Sequence, residues 1–268
     1  MIRTAFVLVV GVVLTGILAG WLVVSSLLRL PWAGRHCEPA ARFWARTLLK
    51  LSGAKIRTES FDTIDWDRPY IVVANHQSWF DVFALAGHLP VRFRFVGKEE
   101  LAGIPIFGRA WTGCGHISLA RDDRSRAIEA LEEAGKQVRE KRLAVILFPE
   151  GTRSEDGRLQ AFKKGAFVLG IQTQVPILPI GISGSRACMP KGSFRIRQGE
   201  IRIRVGEPIP VEGLRMRHRN DLLRRSRAQV LGLMEDPDGL DTPLPDSDDE
   251  DSGGGPQPID TTHEETLR

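Results

Sequence analysis

His76 and Asp81 are a histidine and a carboxylate five residues apart, directly after the apolar run 70–74. A short run of β-branched residues bounded by polar ones predicts a buried strand, and open α/β sheets bind ligands just past the carboxyl ends of their strands. Neutral imidazole can take a proton from an attacking hydroxyl near pH 7, and a carboxylate on its other nitrogen fixes the tautomer. We therefore interpret His76 as a general base and Asp81 as its orienting partner.

A structural interpretation of Asp81 is also open. Ser78 followed by Asp81 three residues later is the capping-box pattern that begins a helix. In that case the carboxylate serves to bind backbone N–H groups. The spacing by itself does not separate the two roles.

A second polar cluster follows the continuous apolar run 143–148, which is typical of a strand buried on both faces. Gly151 lets a ligand approach the backbone, Thr152 offers a hydroxyl, and the planar guanidinium of Arg153 matches two phosphate oxygens. Glu150 fits an anion site if it orients Arg153 or accepts a hydrogen bond from a ligand hydroxyl. The alternative interpretation is a polar turn with a local ion pair.

The elements that must position these clusters follow from the apolar periodicity. Strands joined by right-handed helical crossovers point their carboxyl ends to one edge of a sheet, so the two clusters are expected to converge on one crevice of an α/β fold. The predicted strands are 70–74, 91–96, 116–120, 143–148 and 175–182, and the predicted helices are 79–88, 125–142 and 215–234.

Proline and glycine add local expectations. Two prolines remove ladder donors from strand 175–182, which suggests a sheet edge or a bulge. Residues 194–205 are predicted to form a hairpin with arginines alternating on one face. Segment 97–108 is broken by proline and glycines, and its apolar residues together with Trp111 cover either a lipid chain or the protein core.

The N-terminal segment 5–28 contains 24 residues without a charge. It is long enough to span the ~30 Å hydrocarbon layer and longer than the apolar part of a secretory signal, so it is predicted to be an uncleaved membrane anchor. More basic residues follow the segment than precede it, which predicts that the main domain faces the cytoplasm. The basic amphipathic helix 39–55 either lies on the bilayer interface, with Trp32 and Trp44 at headgroup depth, or packs on the domain.

Charge is distributed unevenly along the chain. The net charge is +4, but residues 235–268 contain twelve acidic residues and one arginine, which leaves +15 on residues 1–234. A basic body fits an anionic partner, and the acidic end has the composition of a disordered tail. The three cysteines, Cys37, Cys114 and Cys188, are far apart and form no C-x-x-C pattern, so we expect neither a disulfide framework nor a zinc site, as suits a reducing compartment.

The chain resembles the bacterial 1-acyl-glycerol-3-phosphate acyltransferases, within the wider glycerolipid acyltransferase family. Residues 75–81 match the N-H-x₄-D block of that family, and residues 97–108 match its second block. Residues 148–154 match its F-P-E-G-T-R-S block, and residues 175–180 match its V-P-I-x-P-x block. The four blocks occur in the family order without a departure inside them.

The resemblance implies transfer of an acyl group from acyl-coenzyme A or acyl carrier protein to the free hydroxyl of lysophosphatidate. The product is phosphatidate, a step of phospholipid biosynthesis, and neither a cofactor, a metal nor a covalent acyl-enzyme is implied. The implied catalytic residues are His76 and Asp81. The implied substrate-binding residues, from the second and third blocks, are Lys98, Glu150, Gly151, Thr152 and Arg153.

The resemblance also implies a mixed central β-sheet flanked by helices, with an N-terminal hydrophobic membrane-anchoring helix or helix pair. A pair held in one leaflet is the alternative to a span. We therefore expect three parts: the anchor and amphipathic helix in residues 1–55, the acyltransferase domain in 56–234 and the disordered acidic tail in 235–268. The expected location is the inner (cytoplasmic) membrane.

Other functions remain open at this point. The blocks also fit an acyltransferase for a lyso-ornithine lipid or glycerol 3-phosphate. A function of another class is that of a non-catalytic, membrane-anchored lipid-binding protein. Nucleic acid is not an expected partner, because the sequence contains no recognisable nucleic-acid-binding module and begins with a membrane anchor.

Overall fold

The computed structural model describes residues 1–30, 33–120 and 123–234. The predicted acidic tail and Trp32 lie outside the described residues. The described strands are β1 (Ala54–Glu59), β2 (Ile71–Ala74), β3 (Phe93–Lys98), β4 (Ile117–Leu119), β5 (Ala144–Leu147), β6 (Ile177–Ser183) and β7 (Gly199–Val205). The described helices are α1 (Ile2–Leu27), α2 (Cys37–Ser52), α3 (Trp79–His88), α4 (Phe107–Gly113), α5 (Arg124–Lys141), α6 (Gly165–Thr173), α7 (Ser185–Cys188) and α8 (Arg219–Leu233).

The strands form one seven-stranded sheet in the order β1-β7-β6-β2-β5-β3-β4. Neighbouring strands are parallel except β6 and β7, which run antiparallel. The predicted α/β fold with a mixed central sheet is therefore confirmed. Strands β2 and β5 are direct neighbours, so the two polar clusters that follow them lie at the same edge of the sheet.

Both faces of the sheet centre are covered, as the continuous apolar runs predict. Val72 and Ile146 face a core shared with α2 and α3, while Val73 and Val145 face a second core shared with α5, α6 and α8. All four side chains are fully buried. Alternate side chains of a strand point to opposite faces, so a strand covered on both sides must be apolar at every position.

Strand β6 is not an edge strand, because it lies between β2 and β7. The alternative of a bulge is correct. The β6–β7 ladder pairs Ile180 with Val205, and an isolated bridge pairs Ile177 with Ile209. The stretch from Val205 to Ile209 is therefore one residue longer than the stretch from Ile177 to Ile180 that it pairs with, which is a bulge. Pro179 lies opposite this bulge, where the regular ladder is interrupted.

The predicted hairpin over residues 194–205 is wrong. Strand β7 begins at Gly199, and residues 194–198, which the structure describes, contain no strand. The N–H of Ile196 instead donates to Oγ1 of Thr4 in α1 at 3.1 Å. The partners of β7 are β1 and β6, which are distant in sequence, so local alternation could not identify them.

Helix α1 is long and apolar enough to cross a membrane. One side of it contacts α2 and α4. On the other side the apolar side chains of Val9, Val12 and Ile17 are more than half exposed. This exposed apolar face supports association with a membrane.

Helix α2 packs on the domain, which was one of its two predicted placements. Ala45 and Leu48 are buried, and the helix contacts α3 along its length. Arg46 and Lys50 are exposed, although Nε of Arg46 donates to the carbonyl of Gly87 in α3 at 2.6 Å. The amphipathic stripe of this helix therefore packs against the protein core, and Arg42 and Arg46 hydrogen-bond to backbone carbonyls of the domain.

The expectation of unpaired cysteines is wrong for two of the three. Cys37, the first residue of α2, and Cys114, which follows α4, form a disulfide with their Cα atoms 5.6 Å apart. They are 77 residues apart in sequence, and it is the packing of α2 and α4 beside α1 that brings them together. Cys188 remains a buried free thiol whose pKa is raised to about 11, chiefly by burial.

Candidate active site

The carboxylate of Asp81 lies in the first turn of α3 and contacts the imidazole of His76. Oδ2 of Asp81 is 2.9 Å from Nδ1 of His76. A carboxylate accepts hydrogen bonds, so we assign the proton to Nδ1, which leaves Nε2 free to take a proton. The side chain of Asp81 is fully buried, whereas that of His76 is 15% exposed. This is the geometry of a general base held by an orienting partner.

The same carboxylate caps the helix. Oδ2 of Asp81 accepts from the backbone N–H groups of Gln77 and Ser78, each at 2.7 Å, and Oγ of Ser78 accepts from the N–H of Phe80 at 3.1 Å. The capping-box interpretation is therefore correct. It does not compete with the imidazole contact, because the cap fixes the carboxylate that faces His76.

The residue before His76 and the imidazole ring itself are both held by neighbouring strands. Just before it, the side-chain amide of Asn75 exchanges two hydrogen bonds with the backbone of Ile182 in β6, at 2.7 and 2.8 Å. The imidazole ring stacks on Phe148, which follows β5, with ring centroids 4.0 Å apart. The position of the ring is therefore set by both neighbouring strands of β2.

The two polar clusters converge as predicted and are joined by hydrogen bonds. The N–H of His76 donates to Oε1 of Glu150 at 2.6 Å, and the N–H of Ser154 donates to the carbonyl of His76 at 2.7 Å. The side-chain amide of Gln77 donates to the carbonyl of Gly157 at 2.7 Å. The loop after β2 and the loop after β5 thus form one unit.

Glu150 lies behind this unit and away from the open space in front of it. Its Oε2 accepts from the N–H of Gln160 at 3.0 Å, and the residue is 5% exposed. Burial, the largest cause, raises the pKa of this carboxyl to about 8, although both backbone hydrogen bonds act in the opposite direction. Glu150 therefore differs from the other predicted substrate-binding residues, which face a cavity.

That cavity has a volume of about 690 Å³, and His76 lines it. Gly151, Thr152, Arg153 and Lys98 line it as well. Four of the five predicted substrate-binding residues are thus brought together around the candidate base.

The guanidinium of Arg153 is held over an aromatic ring at the cavity. Its guanidinium carbon lies 5.3 Å from the ring centroid of Trp79, the first residue of α3. Burial lowers the pKa of Arg153, and the charge of Asp81 partly offsets that effect. The cation is held over an aromatic face, which orients the guanidinium within the cavity.

Lys191 is a cavity residue that sequence reasoning missed. It lines the same cavity, and its Nζ is 2.9 Å from a carboxylate oxygen of Glu155. It follows α7 in a turn and belongs to none of the four blocks, so its spacing carried no signal. Among the described residues that line the cavity, Lys98, Arg153 and Lys191 are cationic and Glu100 is anionic.

The rest of the cavity is lined mainly by apolar side chains, and we call this part the apolar chamber. It is enclosed by α1, α2, α3, α4 and the segment after β3. The apolar side chains that line it include Leu18, Leu22, Ala40, Trp44, Phe83, Phe95, Leu101, Ile104, Phe107 and Trp111. The second block and Trp111 thus line an open chamber and also pack against the core, so that a lipid chain occupies the chamber stays a prediction.

Two glycines of the second block allow the close packing of this wall. A Cβ on Gly108 would lie 2.0 Å from the carbonyl oxygen of Ala102. A Cβ on Gly97 would lie 2.9 Å from side-chain atoms of both Leu101 and Trp111. Neither site accepts a side chain without displacing backbone or the chamber wall.

A metal site is not evident in the part of the chain that the structure describes, because no three His, Cys, Asp or Glu side chains come together there. The absence of a metal and of a cofactor stays a prediction.

Comparisons with known proteins agree with this geometry. A family model described as acyltransferase matches residues 54–183. A 1-acyl-sn-glycerol-3-phosphate acyltransferase of Limnanthes douglasii is 38% identical over 139 residues, which are 52% of this chain and 50% of that protein. The human 1-acyl-sn-glycerol-3-phosphate acyltransferase alpha is 32% identical over 200 residues, which are 73% of this chain and 71% of that protein. The chain belongs to this acyltransferase family.

A solved member of the family has the same architecture. The crystal structure of the 1-acyl-sn-glycerophosphate acyltransferase PlsC from Thermotoga maritima aligns with a TM-score of 0.72 at 27% identity, covering 87% of this chain and 95% of that one. The resemblance drawn from the four blocks is thereby confirmed. The acyltransferase chain described here spans about half the length of some curated relatives and about 70% of others.

Proposed function

We propose that this acyltransferase moves a fatty acyl group from an acyl-thioester to the free hydroxyl of lysophosphatidate, forming phosphatidate for phospholipid biosynthesis. The observation that carries the proposal is the joining of three features in one cavity: the His76–Asp81 pair, a set of cationic side chains and the apolar chamber. A base, a phosphate site and a lipid site are the three requirements of this reaction. The names of the relatives support the same acceptor.

In the proposed reaction Nε2 of His76 takes the proton of the acceptor hydroxyl as its oxygen attacks the thioester carbonyl carbon. The tetrahedral intermediate then expels the thiolate, which takes the proton from the imidazolium. Asp81 stabilises the imidazolium through Nδ1–H and keeps the ring in the required tautomer. Base catalysis of this kind contributes ~10²- to 10⁴-fold to a rate.

The substrate phosphate is assigned to the cationic part of the cavity. Arg153 presents a planar fork that matches two phosphate oxygens, and Lys98 and Lys191 add charge. Gly151 and Thr152 supply backbone access and a hydroxyl. We assign Glu150 to positioning the loop of His76 and not to contact with the acceptor, because both of its oxygens accept backbone N–H groups.

The acyl donor is acyl-coenzyme A or acylated acyl carrier protein, and its acyl chain occupies the apolar chamber. No cofactor or metal takes part. Because α1 and α2 form part of the chamber wall, a lipid chain can enter from the bilayer in which α1 is held.

We place the protein at the inner membrane with its acyltransferase domain, residues 56–234, facing the cytoplasm. Residues 1–55 act as the anchor, either as a span or as a helix pair in one leaflet. The Cys37–Cys114 disulfide is compatible with this side of the membrane if it resists reduction, and both half-cystines are less than a tenth exposed.

The test is thioester-dependent acylation of lysophosphatidate by the purified full chain in neutral detergent. The control variant is His218→Ala, which replaces a histidine just before α8, and its kcat should equal that of wild type. His76→Ala should lower kcat at least about 100-fold. Wild-type rates in His76→Ala would refute the assignment of the base. A preference for glycerol 3-phosphate or a lyso-ornithine lipid when acceptors compete would refute the assignment of the acceptor.

A further inference from the structure

A second, basic pocket lies on the other side of the Cys37–Cys114 disulfide. Its volume is about 720 Å³, and both half-cystines line it as well as the apolar chamber. The disulfide is therefore part of a wall that the two spaces share. The charged side chains that line the basic pocket are Arg35, Glu38, Arg42, Arg92, Arg94 and Lys141.

The balance of charge in the basic pocket is strongly positive. Among the described residues that line it there are five cations and one carboxylate, Glu38. Oε1 of Glu38 is 2.5 Å from a guanidinium nitrogen of the buried Arg94 and 3.6 Å from Nε of Arg92. One carboxylate is thus shared by two cations, and the net charge of the lining remains four positive charges.

Two of these cations are held rigidly by the fold. The guanidinium of Arg42 donates to the carbonyls of Leu89 and Val91, the latter at 2.7 Å. That of Arg94 donates to Glu38 and to the carbonyl of Phe93. Carbonyl oxygens orient Arg42 without neutralising it, so its charge acts on the pocket, whereas Arg94 is paired with Glu38.

The remaining cations are exposed at the surface, and of these Arg92 also lies 3.6 Å from Glu38. Arg35, Arg92 and Lys141 are all exposed, and they belong to the turn before α2, the start of β3 and the last turn of α5. Three separate elements therefore present cations to one concave space. Such a convergent set fits an anion with several oxygens, of which phosphate is the best match.

The position of the pocket identifies the source of the phosphate. The apolar run of α1 ends at Leu28, and Gly34, Arg35 and Glu38, which line the pocket, follow within about three turns of chain. When α1 is held in a bilayer, this segment lies at the level of the lipid headgroups. A phosphate at that level belongs to a lipid.

We propose that the basic pocket binds the phosphate of an anionic phospholipid headgroup, at a site separate from the acyltransferase cavity. The lipid that occupies it is a bound membrane component and not the acyl acceptor, because the disulfide wall separates it from His76. The site couples the protein to anionic bilayers, since a zwitterionic headgroup brings its own cation to the pocket.

The experiment uses the full chain in neutral detergent micelles and follows the apparent Tm during titration with short-chain phosphatidylglycerol. The pocket variant is Arg35→Ala/Arg92→Ala/Lys141→Ala. The matched control, Lys136→Ala/Arg217→Ala/Arg225→Ala, removes the same charge from exposed positions that do not line the basic pocket. Wild type and control should respond alike, and the pocket variant should need roughly 100-fold more lipid for half of the shift, because each interfacial cation contributes about 1 kcal/mol.

Equal half-saturation in the pocket and control variants would overturn the proposal. Inorganic phosphate that acts as strongly as phosphatidylglycerol would overturn the lipid as the source, and short-chain phosphatidylcholine that does so would overturn the selectivity for anionic headgroups. Acylation of lysophosphatidate by the same variants is measured in parallel. Retained kcat in the pocket variant separates this site from the active site, and lipid binding without any acylation in wild type would refute the proposed function alone.

Discussion

The backbone N–H of His76 donates to Oε1 of Glu150 at 2.6 Å, so the residue that carries the base is held by a carboxyl from the neighbouring loop. The other oxygen of Glu150 accepts from Gln160. The two oxygens of this carboxyl therefore fix the loop that carries His76 relative to the loop that carries Gln160. We therefore assign Glu150 a positioning role, whereas the sequence motif predicts that it contacts the substrate.

We expect Glu150→Gln to lower kcat about 10- to 100-fold and to change KM less than about 3-fold. An amide group replaces one acceptor by a donor, so one backbone N–H loses its partner and the loop of His76 shifts. Steady-state kinetics with lysophosphatidate measure both constants. Glu212→Gln, at an exposed position, is the control. A rise in KM with unchanged kcat would instead indicate direct contact between Glu150 and the acceptor.

Variants of Asp81 and Ser78 distinguish the catalytic role of Asp81 from its role in capping helix α3. Asp81→Asn should lower kcat at least about 100-fold, because the amide cannot stabilise the imidazolium as a carboxylate does. Ser78→Ala removes the cap that binds the N–H of Phe80 and should cost ~1 kcal/mol of stability while kcat stays within about 3-fold of wild type. Thermal melts and kinetics on both variants test this, and similar losses of kcat in the two would indicate that Asp81 acts through the helix start alone.

Arg153→Ala should raise the KM for lysophosphatidate by roughly 30- to 100-fold, since a charge-assisted contact to phosphate contributes ~2–3 kcal/mol. Arg153→Lys should recover part of the loss, because it restores the charge but not the planar fork. Arg158→Ala, an exposed arginine of the same loop, should leave KM unchanged. An unchanged KM in Arg153→Ala would contradict the assignment of the phosphate site.

The disulfide between Cys37 and Cys114 predicts a dependence of stability on redox state. It closes a loop of 77 residues, and a cross-link of this length stabilises by ~2–4 kcal/mol. Cys37→Ser/Cys114→Ser should lower the apparent Tm and abolish its dependence on dithiothreitol. Cys188→Ala, which removes a buried thiol but no cross-link, should keep that dependence. An equal apparent Tm for wild type and Cys37→Ser/Cys114→Ser without reductant would contradict stabilisation by the bond.

His116 predicts a loss of stability in acid. Burial is the largest cause that lowers its pKa to about 3, with Arg94 second, and the N–H of Phe95 donates to its Nδ1 at 3.0 Å. The unfolded chain binds a proton near pH 6.5 and the folded chain does not, so the stabilisation is complete above pH 6.5. It is lost as the pH falls from 6.5 towards 3, by up to about 1.4 kcal/mol per pH unit.

The measurement is the apparent Tm of wild type and His116→Asn between pH 4 and pH 8. The carboxamide oxygen of asparagine can still accept from Phe95 but does not titrate, so the variant should show a smaller loss of Tm below pH 6.5. Parallel curves for the two proteins would exclude His116 as a cause of acid sensitivity.

Local patterns in the sequence predicted the parts of the fold that depend on neighbours along the chain. Helix α3 begins at Trp79 because Ser78 and Asp81 cap it, and β2 and β5 are apolar at every position because both faces are buried. The convergence of the loops after these strands followed from the handedness of crossovers. The sequence alone therefore predicts that His76, Asp81, Gly151 and Arg153 surround one site.

Contacts between residues distant in sequence were decided by the tertiary structure alone. Local spacing could not predict the position of β6 inside the sheet, the partners of β7 or the Cys37–Cys114 bond. All three depend on which elements pack together in the folded chain. The same holds for the site. Lys191 reached the cavity and Glu150 turned away from it because of the loops that surround them, since the direction of a side chain is set by packing and hydrogen bonds and not by its position in a motif.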